Sequence, residues 1–469
     1  MSTVKTLNKK LKKAFNGRIC AVQNNKVLYL TGELQNWDDI VRAGRMSVSK
    51  KYTVVNDISF FGEKTPPMKL PLVASNSLEG KRVDVLIIGG GITGCSIARE
   101  LMRYDISVIL AEKEHDVAMQ ASGHNNGMIH TDLDLRKGPL LKKYNNEGNK
   151  LYPQVCKELN VPFKRTGQYL CFTDDWMKPN AIASILRWRR MNIPAEYVSR
   201  KHLLNEEPHL GDKVKFAIFF PNAGVVCPYS LATAYAENAA YNGAKIYLDT
   251  VVLDINVINK RIFSVRTNRG NIYPRLVINA AGTFAEQIAR QAQDRFYSIR
   301  PVRGTNIVYS KKNSFLVNSI VSLNSSESGH IIHTVDGNLV IGSSLSETYD
   351  REDFSASKDN VNDILSEQTQ LVPELSKGNI LTYSAGIYAA TYEDDYVVTF
   401  GKFTSNIIHA AGIQSPGFAA APAIASDVAK MSAEFLQANL NTAFNPIKKK
   451  QLDEVAPKQK FWNNLIKLK

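Results

Sequence analysis

An α/β fold is the expectation, and three features of the sequence lead to it. An apolar run, Val83 to Ile88, breaks into four glycines within six positions and then into a helical pattern, Thr93 to Tyr104. A second apolar strand, Ile106 to Leu110, ends on Ala111 and Glu112 and closes a βαβ unit of about 30 residues, the length of a Rossmann-type repeat. Far downstream, HIIHTVDGNLVIG alternates apolar and polar positions around Asp336 and Gly337, as an antiparallel hairpin does.

Taken in chain order, residues 3–15 have a helical pattern, and ICAVQNNKVLYLTGEL reads as two strands around an Asn-Asn turn. WDDIVRAGRMSVSK places Trp37, Ile40, Val41, Gly44 and Val48 on one side of a helix, and TVVNDISFF is a strand. Residues 1–62 therefore form a small N-terminal α/β domain. Its pattern VLYLTGEL, then AG, then VVNDI resembles the BON domain, a module associated with membrane or phospholipid binding. Residues 63–81, rich in Pro, Ser and Gly, are a linker. The main unit spans 82–435, and a basic tail, 436–469, ends the chain.

Composition narrows the function. No run of about 18 uncharged apolar residues is present, so no membrane span is expected. The five cysteines stand apart with no C-x-x-C pair, which argues against a disulfide framework, a metal knuckle or a local iron–sulfur motif; no metal site is expected. The net charge of +14 favours anionic partners, but no aromatic–basic motif supports nucleic acid. No Asp or Glu precedes Glu33, yet lysine rather than arginine supplies the charge there. The expected location is the cytoplasm or a peripheral membrane position, with a mitochondrial address left open.

The glycines carry the first functional argument. Gly89, Gly91 and Gly94 have the spacing G-x-G-x-x-G between strand and helix, which allows a tight turn, close approach of backbone to a pyrophosphate and packing of helix on strand. The phosphates are expected over the helix start at Ile92 and Thr93. Glu112, followed by Lys113, lies where an acid accepts both ribose hydroxyls, favouring FAD or NAD over NADP. No second fingerprint follows residue 94 and no cysteine pair offers a redox disulfide, so one dinucleotide meets its substrate directly.

Three further segments are candidates for the same cofactor. MQASGHNNGMIHTDLDLRKGPLLKKYNNEGNKLY supplies Ser122, Gly123, Asn126, Gly127 and Met128 in a loop of small and amide residues, with His124 and His130 near it. LVINAAGTFAEQIA runs from a strand through Ala281 and Gly282 into a helix. NIIHAAGIQSPGFAAAPAIASDVAKM passes through Gly412, Ile413, Ser415, Pro416 and Gly417 into a small-residue helix whose N-terminus suits the negative charge of a reduced flavin.

Together with PFKRTGQYLCFT, GVVCPYSLATAYAENAAYNGA, RPVRGTNIVY and DGNLVIG, these segments resemble, in order over roughly residues 82–432, the FAD-dependent family of D-amino-acid oxidase, glycerol-3-phosphate dehydrogenase and L-2-hydroxyglutarate dehydrogenase. The glycerol-3-phosphate dehydrogenase-like branch is the nearest match. The resemblance implies a Rossmann-type FAD-binding domain assembled from about 82–160, 225–295 and 381–435, interleaved with an antiparallel-sheet substrate domain at about 161–224 and 296–380. It also implies an enzyme that moves a hydride from a small anionic 2-hydroxy compound to flavin N5. Glycerol 3-phosphate is the first expectation, L-2-hydroxyglutarate or another 2-hydroxy or amino acid the second, and a non-catalytic flavin-binding scaffold at a membrane the rival reading.

An alcohol substrate needs a base, and of the eight histidines His333 is the first candidate and His130 the second, with His409 read as structural. Arg303 and Arg136 are candidates for holding an anionic group. Where family members carry an arginine in a Gly-Leu-Arg segment, this chain has Tyr388, which puts the grip on a phosphate or carboxylate in doubt. No cysteine follows Cys227, so no C-terminal cluster takes the electrons; oxygen, a quinone or a protein must. Phe461, Trp462, Leu465, Ile466 and Leu468 in the basic tail suit an anionic membrane surface.

Overall fold

The computed structural model describes residues 4–62, 65–131, 138–326, 328–375 and 379–447. Arg136 and the tail residues Phe461 to Leu468 lie outside them.

The N-terminal unit has the expected order: helix Val4–Ala14, strands Ile19–Asn24 and Val27–Leu34, helix Trp37–Met46 and strand Thr53–Phe60. The first two strands form a hairpin, and Thr53–Phe60 adds in parallel beside Val27–Leu34. Asn36 begins the second helix by accepting a hydrogen bond from the Asp38 N–H at 2.8 Å. Leu11, Leu28, Leu30 and Val54 make its core, which a residue of the main unit, Tyr392, completes. The N-terminal unit is therefore docked. The Asn56 side-chain amide donates to Tyr392 Oη at 2.8 Å, the Val54 N–H to Glu393 Oε1 at 2.6 Å, and Arg295 pairs with Asp57.

Two eight-stranded sheets build the main unit. In the first, Lys245–Tyr247, Val108–Ala111, Lys81–Ile88 and Gly270–Asn279 run parallel, and Ile407–Ala411 joins the end of Gly270–Asn279 in parallel. Helices Ile92–Leu101, Pro139–Glu158, Pro228–Tyr241 and Gly417–Leu436 share one core with its strands. Small residues let them approach closely: a Cβ on Gly148 would lie 2.1 Å from the Ala419 carbonyl oxygen.

The second sheet runs in the order Ile380–Ala390, Arg300–Tyr309, Leu339–Glu347, His330–His333, Ile320–Leu323, Gln168–Phe172, Phe216–Phe220, Glu196–Ser199. Its pairings are antiparallel except for Ile320–Leu323 beside Gln168–Phe172. The expected hairpin is there, with Gly337 at φ 88° in its turn. One boundary needs correction. The last cofactor segment is expected at about 381–435, yet Ile380–Ala390 pairs along its length with Arg300–Tyr309, because its alternating run completes the edge of the second sheet. A small sheet, Met128–Ile129 with Gly224–Val226 and Phe163–Lys164, lies between the two.

Candidate active site

Both sheets border one cavity of about 1320 Å³, part of it open to solvent. Its lining comes from stretches far apart in sequence, and it holds Gly89, Gly91, Ile92, Thr93, Glu112, Lys113, Ser122, Ala281, Gly282, Tyr388, Ile413, Ser415 and Gly417 among the expected residues. Gly94, Gly123, Asn126, Gly127, Met128, Gly412 and Pro416 do not line it. Gly94 has a packing reason: a Cβ there would sit 1.9 Å from the Gly89 carbonyl oxygen, so helix and strand meet only over a hydrogen. Gly89 itself turns at φ 109°. By contrast, a Cβ on Gly91 would meet only Ser122 Oγ, at 3.0 Å, so that glycine keeps space free on the cavity side.

Two helix N-termini, at Ile92 and Gly417, border the cavity, an arrangement that favours anionic groups. Glu112 is buried beside it and accepts hydrogen bonds from the N–H groups of Gly90 and Glu114. Burial raises its carboxyl pKa above the ordinary value, against the lowering effect of those two donors. Lys113 does not stand free. Its ammonium pairs with Glu114 and, at 2.5 Å, with Glu352 from the second sheet's side. Glu352 also accepts the Lys69 N–H at 2.7 Å, and neighbouring Met68 lines the cavity. The linker thus runs across the site. A paired-glycine turn, a buried acid for ribose hydroxyls and two helix starts over uncrowded space fit FAD as the bound group.

Tyr388 is half-buried on Ile380–Ala390, and desolvation raises its phenol pKa. Its Oη lies 3.5 Å from Ser343 Oγ, which donates to Asn306 Oδ1 at 2.7 Å, and Asn306 Nδ2 donates to the His124 carbonyl at 3.2 Å. His124 stacks on Phe354 at 5.1 Å, and burial lowers its pKa against the raising contact of Nδ1 with the Gln120 carbonyl.

The histidines are arranged differently from the expectation. His130 follows Met128–Ile129, and its carbonyl accepts from Asn149 Nδ2 at 2.9 Å. The ring facing it belongs to His330, with centroids 6.0 Å apart at 69°. Three residues apart on one strand, His330 and His333 point to opposite faces. His330 shares the face of Ile332, which packs with Met128 and Val225, whereas the alternate residue Ile331 packs with Tyr169 and Leu203. His333 closes the strand, and burial and then the Lys164 charge lower its pKa. The run HIIH contained this signal, read by a period of two. Arg303 pairs with Asp353, so its charge is already matched. His409 is fully buried, with Nε2 at 2.9 Å from Asp294 and Nδ1 at 3.1 Å from Tyr297 Oη, the structural role expected of it.

Comparison with known proteins agrees with this architecture. Residues 84–431 match the FAD dependent oxidoreductase family. A glycerol 3-phosphate dehydrogenase of Caloramator mitchellensis is 34% identical over 377 residues, 78% of this chain and 77% of that protein. A glycerol 3-phosphate oxidase of Mycoplasma genitalium is 27% identical over 77% of this chain and 97% of its own. The solved structure of dithionite-reduced L-alpha-glycerophosphate oxidase from Mycoplasma pneumoniae with FAD bound superposes with a TM-score of 0.72 at 24% identity, covering 79% of this chain and all of that one. The chain belongs to the FAD dependent oxidoreductase family and is a flavoenzyme whose cofactor is FAD.

Proposed function

We propose that the enzyme oxidises the secondary alcohol of glycerol 3-phosphate to the ketone. The observation that carries this reading is the His130–His330 pair, facing rings held between the cofactor loop and the substrate sheet; the substrate named for the relatives supports it. Bound FAD supplies the acceptor for the hydride that leaves the carbinol carbon. His130 takes the hydroxyl proton at a ring nitrogen, and His330, edge-on to it at 6.0 Å, orients that ring. Tyr388, through Ser343 and Asn306, presents a hydroxyl to a substrate oxygen. Arg303, matched by Asp353, supports the sheet rather than gripping the anionic end.

Gly89, Gly91, Ile92 and Thr93 with Ser122 hold the diphosphate and Glu112 the ribose, while Ala281, Gly282, Ile413, Ser415 and Gly417 line the ring end. Electrons leave to oxygen, a quinone or a protein. The helix–hairpin–helix–strand order of residues 4–60 supports the BON-like reading of the N-terminal unit; no described helix is long and apolar enough to cross a membrane.

Anaerobic flavin absorbance tests the reaction. Glycerol 3-phosphate is expected to bleach the yellow protein, and readmitted oxygen then separates oxidase from dehydrogenase. Bleaching by L-2-hydroxyglutarate or an amino acid instead would replace the substrate. A flavin reduced by dithionite but by none of these compounds would count against the reaction.

A further inference from the structure

The far end of the substrate sheet carries a surface that the proposed reaction does not use. Helix Lys178–Arg190 packs one side, Ala181 and Ile185 with Trp188, onto Phe172, Phe216 and Phe220. Trp188 meets Phe220 edge-on at 5.2 Å. A flanking stripe is apolar too, and it faces solvent: Ile182 is 49% exposed and Leu186 52%, one helical turn apart. Trp176, in the short turn before the helix, is 71% exposed, and Met191 after it 40%. A tryptophan so bare, just before a helix that exposes two aliphatic side chains, adds to a concentration of apolar surface that water disfavours.

Charge identifies what covers it. Arg187, Arg189 and Arg190 are all exposed in the last turn and flank the Leu186 ridge. The nearby acids lie at the other end: Asp175 is paired with Lys178 at 2.7 Å, and Asp174 precedes it. Glu196 is exposed on the neighbouring edge strand. A copy paired in the parallel sense would bring arginine triplets into one contact, against the excess charge of +14. An apolar ridge with tryptophan at one end and arginines along its flanks matches the interfacial region of a bilayer, where rings and aliphatics enter the acyl boundary and guanidinium groups meet phosphates.

We infer that helix Lys178–Arg190, with Trp176 and Met191, seats this protein on the surface of an anionic phospholipid bilayer. The inference goes beyond the proposed reaction and holds whichever substrate is oxidised. Glu196–Ser199, beside this helix, is the last strand of the sheet, and Ile380–Ala390, which carries Tyr388, is the first. Docking through the helix thus leaves the cofactor side uncovered.

The test is sedimentation of the flavin-loaded, full-length protein with phosphatidylcholine vesicles, with and without phosphatidylglycerol. The protein is expected to follow the phosphatidylglycerol vesicles. A Trp176→Ser, Ile182→Ser, Leu186→Ser variant and an Arg187→Gln, Arg189→Gln, Arg190→Gln variant should each lower partition about tenfold or more, at unchanged flavin content and unchanged flavin reduction. Vesicles should also shift tryptophan emission to the blue in the parent and shift it less in Trp176→Phe. Failure of the parent to sediment, or undiminished sedimentation of both variants, overturns the inference. A parent that is dimeric in solution and becomes monomeric with the serine variant overturns it in favour of a second copy.

Discussion

Among single residues, the histidines divide the chemistry most clearly. If His130 takes the proton, His130→Ala slows anaerobic flavin reduction by about 10² to 10⁴ while the flavin stays bound. His330→Gln is expected to lower the same rate less, and His333→Ala to leave it within about threefold, since a strand's alternation turns His333 away from His330's face. Rapid-mixing absorbance reads all three. His124 makes a different, acid-sensitive contribution. Burial holds its pKa below the ordinary value of about 6.5, so below that pH the unfolded chain binds more protons than the native one. Stability is therefore expected to rise with pH through this window and to fall as the solution is acidified from about pH 6.5. Thermal unfolding of His124→Gln against pH should show a flatter acid limb; an identical limb would remove His124 as its source.

At the level of secondary elements, the last two glycines of the fingerprint separate folding from cofactor retention. Gly94→Val drives a side chain into the Gly89 carbonyl, where Cβ alone would be 1.9 Å away, and is expected to lower stability by 1–3 kcal/mol or more, roughly the range for overpacking. Gly91→Val meets only Ser122 Oγ in the protein, so a folded but colourless protein is the expected product, read by absorbance and unfolding together. A yellow Gly91→Val protein would contradict the assignment of that space to the diphosphate. The linker behaves as an element of the same site. Glu352→Ala removes the carboxylate shared by Lys113 and the Lys69 N–H and should speed flavin loss on dilution, measured by fluorescence of the released cofactor.

Across the molecule, the N-terminal unit and the oxidoreductase fold are parts of one core. Tyr392 is 5% exposed, lies within the N-terminal core and reaches Asn56 at 2.8 Å, while a Cβ on Gly44 would lie 2.2 Å from its ring. Tyr392→Ala is expected to cost about 3–5 kcal/mol, as deletion of a buried aromatic ring does, and to loosen the N-terminal unit. Limited proteolysis near residues 63–81 should then release that unit first. An unaltered melting temperature and digestion pattern would mean that the other contacts, among them Glu393, Arg295 and the Arg45–Glu347 pair, hold the unit.

Local order made much of this legible beforehand. The βαβ unit, the acid at Glu112, the N-terminal element order and the Gly337 turn each follow from residues close in sequence, where spacing and alternation fix backbone form. The three small-residue segments were readable because strand-to-helix turns need glycine and alanine wherever a ligand approaches backbone. Long-range contact decided the rest. Met68 reaches the cavity, Glu352 pairs with Lys113 239 residues away, Asp353 with Arg303 50 away, and Tyr392 enters another unit's core, 336 residues from Asn56. No periodicity reports such pairings, because burial and charge matching are settled only when the sheets close on each other. His330 lies between the two cases: alternation put it on the face opposite His333, but only the folded chain gave that face His130 as its neighbour.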